Sequence, residues 1–234
     1  MAMPSNGLRH VLREASTISE KIFQLRKLPD SITEIEKLLE QARQLVSTVT
    51  VDTLGVVLPN RHGLESMTSP MYYADIYQSE YMHVCLFGFK DCDFVLPLHD
   101  HPGIYGFVKV IRGAITVNSY TELPSHAALR NIIAARSSSN KDCCRFEGQF
   151  SRWSSDECVC LSPSCGNIHS IAALEDGAAF FDLLIPGYGD KPCTYYSMLG
   201  RNSVQPKQRC FLQKTGEPED YSCHVLPYKT VKIL

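Results

Sequence analysis

Apolar residues recur along this chain in two rhythms, and the change falls near Thr50. Before it, Ile32, Ile35, Leu38, Leu39, Ala42, Leu45 and Val46 repeat at helical spacing and form one stripe. Ser31-Ile32-Thr33-Glu34, with Pro29 just ahead, reads as a capping box at the start of that helix. Upstream, Ile18, Ile22 and Leu25 predict a second amphipathic helix. Residues 1–50 therefore read as a helical segment covering one face or end of a sheet domain, with a partner-binding helical hairpin as the alternative.

After Thr50, short apolar and aromatic runs alternate with Gly, Pro, Asp and Asn, the texture of many short strands. Strands are predicted at 70–77, 81–90, 93–99, 105–112, 114–120, 158–163, 168–174 and 178–185. Residues 121–150, with the polar run from Arg136 to Asp142, read as a surface insertion in a domain spanning 51–234. No internal repeat stands out. Gly187-Tyr188-Gly189 is too short to cradle a phosphate, and neither a Walker-type loop nor a dinucleotide fingerprint occurs.

Composition narrows the function classes. A chain of 234 residues is long enough for one large domain with a substantial core. A net charge of −2 without an extended basic block gives nucleic acid little to bind. No run approaches the ~20 apolar residues of a membrane span. The N-terminus lacks a secretory signal, and Glu14 and Glu20 break up the basic residues a transit peptide needs. A soluble, cytoplasmic protein acting as a monomer, with no nucleic-acid or membrane partner, is the expectation. Ten cysteines in this length fall below the ~8–10% of a disulfide scaffold. No Cys-x-x-Cys pair occurs, so the thiols read as reduced and mainly packing.

Chemistry concentrates in Pro97-Leu98-His99-Asp100-His101-Pro102-Gly103. In an extended strand His99 and His101 share a face, where two imidazoles can grip one metal ion, while Asp100 points the other way. Solvated or backbone-bonded strand histidines are the plain alternative. A closed or double-sheet β architecture brings distant strands to one interior, so a third ligand is sought far downstream. Pro163-Ser164-Cys165-Gly166-Asn167-Ile168-His169 supplies it, a turn delivering His169 into another strand. His83 also lies in a strand signal and ranks below His169. His10, His62, His126 and His224 occupy helical, loop or tail contexts.

Taken together, the 97–103 element, Gly113 and the Pro163-to-His169 turn resemble the two halves of the cupin pattern, a double-stranded β-helix barrel with its metal in the mouth. Most cupins place a Glu where Tyr105 stands, which leaves three neutral histidines here. That three-His set with His-Asp-His-Pro-Gly resembles the thiol dioxygenases of the cysteamine dioxygenase and plant cysteine oxidase group. The likeness continues through 161–169, 178–188, 192–196 and 219–228, and covers roughly residues 70–234. Animal members carry His at the position of Tyr105, which implies a difference in pocket shape and substrate preference.

The resemblance implies iron(II) on His99, His101 and His169, with Asp182, Tyr188 and Tyr195 shaping the pocket. It also implies a thioether between Cys193 and Tyr195, with two unmodified packing side chains as the plain alternative. The implied substrates are cysteamine or an N-terminal cysteine of a protein, together with O2. Oxidation of N-terminal cysteine marks a protein for arginylation and degradation, which ties its lifetime to oxygen. Converting a thiolate to a sulfinate removes four electrons, matching one dioxygen, so no organic cofactor is called for. Asp182 sits among apolar residues, where a carboxylate is costly unless paired. A structural hydrogen bond is its plain reading, and orientation of a histidine or of the substrate amine its functional one. Tyr188 reads as a pocket phenol or a rim aromatic, and Cys165 as an accessible thiol or a packing residue. The rival functions are a non-catalytic metal-binding cupin module and a cupin isomerase or oxygenase with another substrate.

Overall fold

A computed structural model describes residues 5–124, 140–189, 192–200 and 204–228. Two long helices open it, α1 (Asn6–Leu25) and α2 (Ile32–Ser47), followed by the short α3 (Val51–Leu54) and α4 (Arg61–Glu65). Ser5 caps α1 by accepting from the Leu8 amide at 3.0 Å. The capping box predicted at Ser31 does not form. The Ser31 hydroxyl instead donates back to the Leu25 and Leu28 carbonyls, closing the turn between the two helices. Ile32 is largely exposed, so the buried stripe of α2 starts at Ile35 and continues through Leu38, Ala42 and Val46.

Twelve strands follow among the described residues: β1 (Met71–Gln78), β2 (His83–Phe89), β3 (Val95–His99), β4 (Tyr105–Arg112), β5 (Ala114–Glu122) and β6 (Lys141–Trp153). After these come β7 (Val159–Leu161), β8 (Ile168–Ala173), β9 (Ala179–Ile185), β10 (Tyr195–Leu199), β11 (Arg209–Thr215) and β12 (Cys223–Val225). One sheet has the order β12-β1-β2-β9-β4-β7. The other runs β10-β11-β6-β5-β8-β3 and closes on itself where Tyr195 of β10 pairs with His99 of β3. This is the cupin-type, mainly β architecture with N-terminal helices that the resemblance implied.

Alternation along the strands sorts the core into layers. On β9, Phe181, Leu183 and Ile185 join Tyr72, Ala74 and Ile76 of β1 and Val84 and Leu86 of β2 under the helices. Leu8, Leu12, Ile22, Leu38 and Val46 complete that layer, so the buried stripes of α1 and α2 share one cluster with the sheet. On the other face Phe180 meets Phe89, Val108, Val110, Ile115, Val117 and Ile171, which come from both sheets and fill the interior between them.

The predicted insertion needs correcting. From Lys141 onward it is β6, paired with β5 over Ala114–Glu122 and with β11 over Arg209–Gln213. Its mostly half-exposed side chains hide the strand, because their polar pattern looks like surface loop. Residues 125–139, with His126 and the start of the polar run, lie outside the described residues.

Candidate metal centre

His99 ends β3 and His169 is the second residue of β8, and the two are directly paired across the sheet. An irregularity in the register between Leu96 and His99 re-aims β3, so that both of these residues line the interior although they are three apart. His101 follows the strand and is not part of it, so simple alternation does not place it. Asn167 does: its side-chain oxygen accepts from the His101 amide at 2.7 Å, and its nitrogen donates to the His101 carbonyl at 2.9 Å. Asp100 turns outward as expected. Its carboxylate accepts from the Thr194 amide at 2.7 Å and the Tyr196 hydroxyl at 3.1 Å, fastening β10 beside the site.

Glycines shape the loops that carry two of these histidines. Gly103, just after His101, has φ +73°. Gly166, three before His169, has φ +68°, and a Cβ there would meet Ser119 Oγ at 2.6 Å. From the helical side, Arg26 donates to the Gly103 carbonyl at 2.7 Å and lies over the Tyr105 ring. Tyr105 packs with the helices and does not line the cavity, so it does not shape the pocket directly, contrary to the expectation from its position.

One donor nitrogen from each of His99, His101 and His169 lies within 4.8 Å of the other two. The His99 Nδ1–H donates to the Pro97 carbonyl at 2.7 Å, and the His169 Nδ1–H to the Asn167 carbonyl at 2.9 Å. Both rings therefore present Nε2 as a lone pair, the usual way a ligating histidine is held. His101 Nδ1 is 2.5 Å from Tyr188 Oη; with Nδ1 donating to the phenol, its Nε2 is also free. Burial lowers all three imidazole pKa values, that of His169 to about 3, and neighbouring rings add to the effect for His101 and His169. Three neutral nitrogen donors, unpaired on the inner side, fit a divalent transition metal.

They open into a cavity of about 530 Å³. Phe87, Leu96, Ile171, Phe180 and Leu184 give it apolar walls, and Asp182, Tyr188, Cys193 and Tyr195 all line it. Asp182 Oδ1 is buried without a hydrogen-bond partner among the described residues, and desolvation pushes its pKa up to about 7. Burial likewise raises the Tyr188 and Tyr195 phenols and the Cys193 thiol. Cys165 is exposed and lies outside the lining.

Four residues not singled out from the sequence also belong here, Tyr73, Glu217 and Tyr221 in the lining and Asn167 as the clamp, and His83, weighed there only as a rival ligand, lines the cavity too. Period-2 counting on β2 signals His83, since positions 83, 85 and 87 all face the cavity. His83 is nonetheless outside the three-histidine cluster. The late residues Glu217 and Tyr221 carry no such signal, because only folding brings the C-terminal segment to the cavity mouth.

The PCO_ADO family model matches residues 29–233. A 2-aminoethanethiol dioxygenase of Mus musculus is 26% identical, over 88% of this chain and 86% of its own. Plant cysteine oxidase 1 of Arabidopsis thaliana is 24% identical, over 94% of this chain and 74% of its own. Among solved structures, a protein with a double-stranded β-helix domain from Klebsiella pneumoniae aligns with TM-score 0.38 and 13% identity, covering 63% of this chain and 88% of that one.

Proposed function

From the premise that this chain belongs to the PCO_ADO family, we propose that it is an iron(II)-dependent thiol dioxygenase acting on cysteamine or on an N-terminal cysteine. The observation that carries this reading is the convergence of three neutral histidines in one cavity with the buried Asp182, whose Oδ1 has no hydrogen-bond partner among the described residues. His99, His101 and His169 would hold the iron, and among the described residues no carboxylate joins them in the cluster. Bound iron supplies the redox chemistry by which a thiol and O2 become the sulfinic acid, a four-electron oxidation that keeps both oxygen atoms.

The chain's own side chains do the rest. Pro97 and Asn167 carbonyls fix His99 and His169 in the ligating tautomer, and the Tyr188 phenol, accepting from Nδ1, would hold His101 in the same one. Asp182 Oδ1 accepts from the substrate ammonium, whose charge restores ionisation of a carboxyl that burial otherwise holds partly neutral. Phe87, Leu96, Ile171 and Phe180 exclude water around the thiol. Cys193 and Tyr195 both line the cavity, which supports the thioether the resemblance implies, a two-electron oxidation for which O2 would be the oxidant. A neutral ligand set and a rate that follows oxygen would couple the lifetime of an N-terminal-cysteine protein to oxygen supply.

The test is metal analysis of the purified protein, then mass spectrometry of a Cys-initiated peptide incubated in air. A mass gain of one dioxygen, abolished by acetylating the α-amine, is the expected result. Equal oxidation of the acetylated peptide would remove Asp182 as the amine acceptor, and no oxidation of any thiol by iron-loaded protein would remove the dioxygenase reading.

A further inference from the structure

His83 belongs to the same cavity wall as Asp182 but has no part in holding the metal. Its Nε2 lies 3.3 Å from Asp75 Oδ1 and 3.3 Å from Tyr73 Oη. A carboxylate only accepts, so Nε2 carries the proton and Nδ1 of the neutral ring is left as an acceptor. That Nδ1 is buried and has no partner among the described residues. A buried polar atom without a partner costs free energy unless something supplies one. Two residues of the cavity lining thus carry orphaned acceptors, His83 Nδ1 and Asp182 Oδ1.

Their spacing follows from the sheet. On the antiparallel pair β2–β9, Cys85 faces Asp182 and His83 faces Leu184, which makes His83 and Asp182 diagonal neighbours. Such positions are roughly 7–8 Å apart, with Cβ atoms somewhat closer. Both side chains line one cavity, so their polar ends can converge on groups a single residue apart, a span of at most about 3.6 Å in extended peptide. The first such pair of donors in a peptide starting with cysteine is its α-ammonium and the N–H of its first peptide bond.

Resting on the dioxygenase reading, we infer that His83, oriented by Asp75, is a specificity-determining residue that accepts a hydrogen bond from the first peptide N–H of an N-terminal-cysteine substrate. Asp182 takes the ammonium of either substrate class, whereas the His83 contact exists only for a peptide. Cysteamine has no group to fill it. The cavity is therefore built to read one bond further into the chain than cysteamine extends.

Equilibrium binding to the iron-loaded protein, measured without oxygen, tests this. The probes are a Cys-Gly peptide and its analogue in which an ester oxygen replaces the N–H after the cysteine. The wild-type protein binds the amide about threefold to tenfold more tightly than the ester. In His83→Phe the ratio falls to about one, the loss of a single hydrogen bond. Asp75→Ala, at a half-exposed position that tolerates truncation, lowers the ratio too because the ring is no longer held in one tautomer. Equal wild-type binding of amide and ester, or a ratio unchanged in both variants, overturns the subsite. Should His83→Phe fail to fold, the Asp75→Ala ratio decides. Failure to oxidise either peptide in air would sink the dioxygenase reading separately, since the binding ratio needs no turnover.

Discussion

Asn167→Ala tests whether His101 is placed by a side-chain clamp and not by its strand. Two hydrogen bonds, at 2.7 and 2.9 Å, tie Asn167 to the backbone of His101, and a longer one at 3.4 Å reaches the Ser162 carbonyl. Each of the two short bonds is worth about 1 kcal/mol net, so truncation removes about 2 kcal/mol. If the loss falls on the metal-loaded state, iron binds about 30-fold more weakly, inside the 10- to 100-fold range for groups that orient ligands. If it falls on folding instead, Tm drops by about 4–8 °C. The assay is chelator competition for iron, paired with thermal unfolding of the metal-free protein. Unchanged iron affinity together with an unchanged Tm would refute the clamp.

Replacing His99, His101 or His169 singly by Ala should abolish tight iron binding, and full iron content in His169→Ala would remove it from the ligand set. Asp182→Asn should lower kcat/KM for cysteamine by about 10- to 100-fold, the worth of a charged hydrogen bond, but not for mercaptoethanol, which has no amine; equal losses on both thiols would refute amine recognition. Gly166→Ala forces a side chain into left-handed backbone against Ser119 and should cost about 1–2 kcal/mol, read from the urea midpoint; a midpoint equal to that of the wild type would refute the strain. With thiol and iron saturating, the initial rate should keep rising across the oxygen range found in cells, and a rate already flat at low oxygen would leave thiol oxidation intact but end the sensing role.

The three clustered histidines were legible in the sequence because their signals are local. A His-x-His at a strand end, a Pro-Gly turn and a turn-delivered histidine downstream need only short-range rules. The strongly apolar strands β1, β2, β4, β5, β8 and β9 announced themselves the same way. Strand β6 did not, since its residues are largely half-exposed and polar, and its identity rests on pairing with β5 and with the distant β11.

Placement within the site was decided by tertiary contacts. Alternation predicted His101 on the face of His99, yet β3 stops at His99, and the loop beyond is held by Asn167, 66 residues away in the chain. Tyr105 occupies a ligand position in the pattern, but the helices and Arg26 claim its ring. His83 looked like a rival ligand; cross-strand register instead sets it beside Asp75 and Asp182, away from the metal cluster. The sequence could name the residue types that bind a metal, because ligand chemistry belongs to single side chains. Which of them share one cavity depends on strand register and loop clamps, which exist only once distant segments have paired.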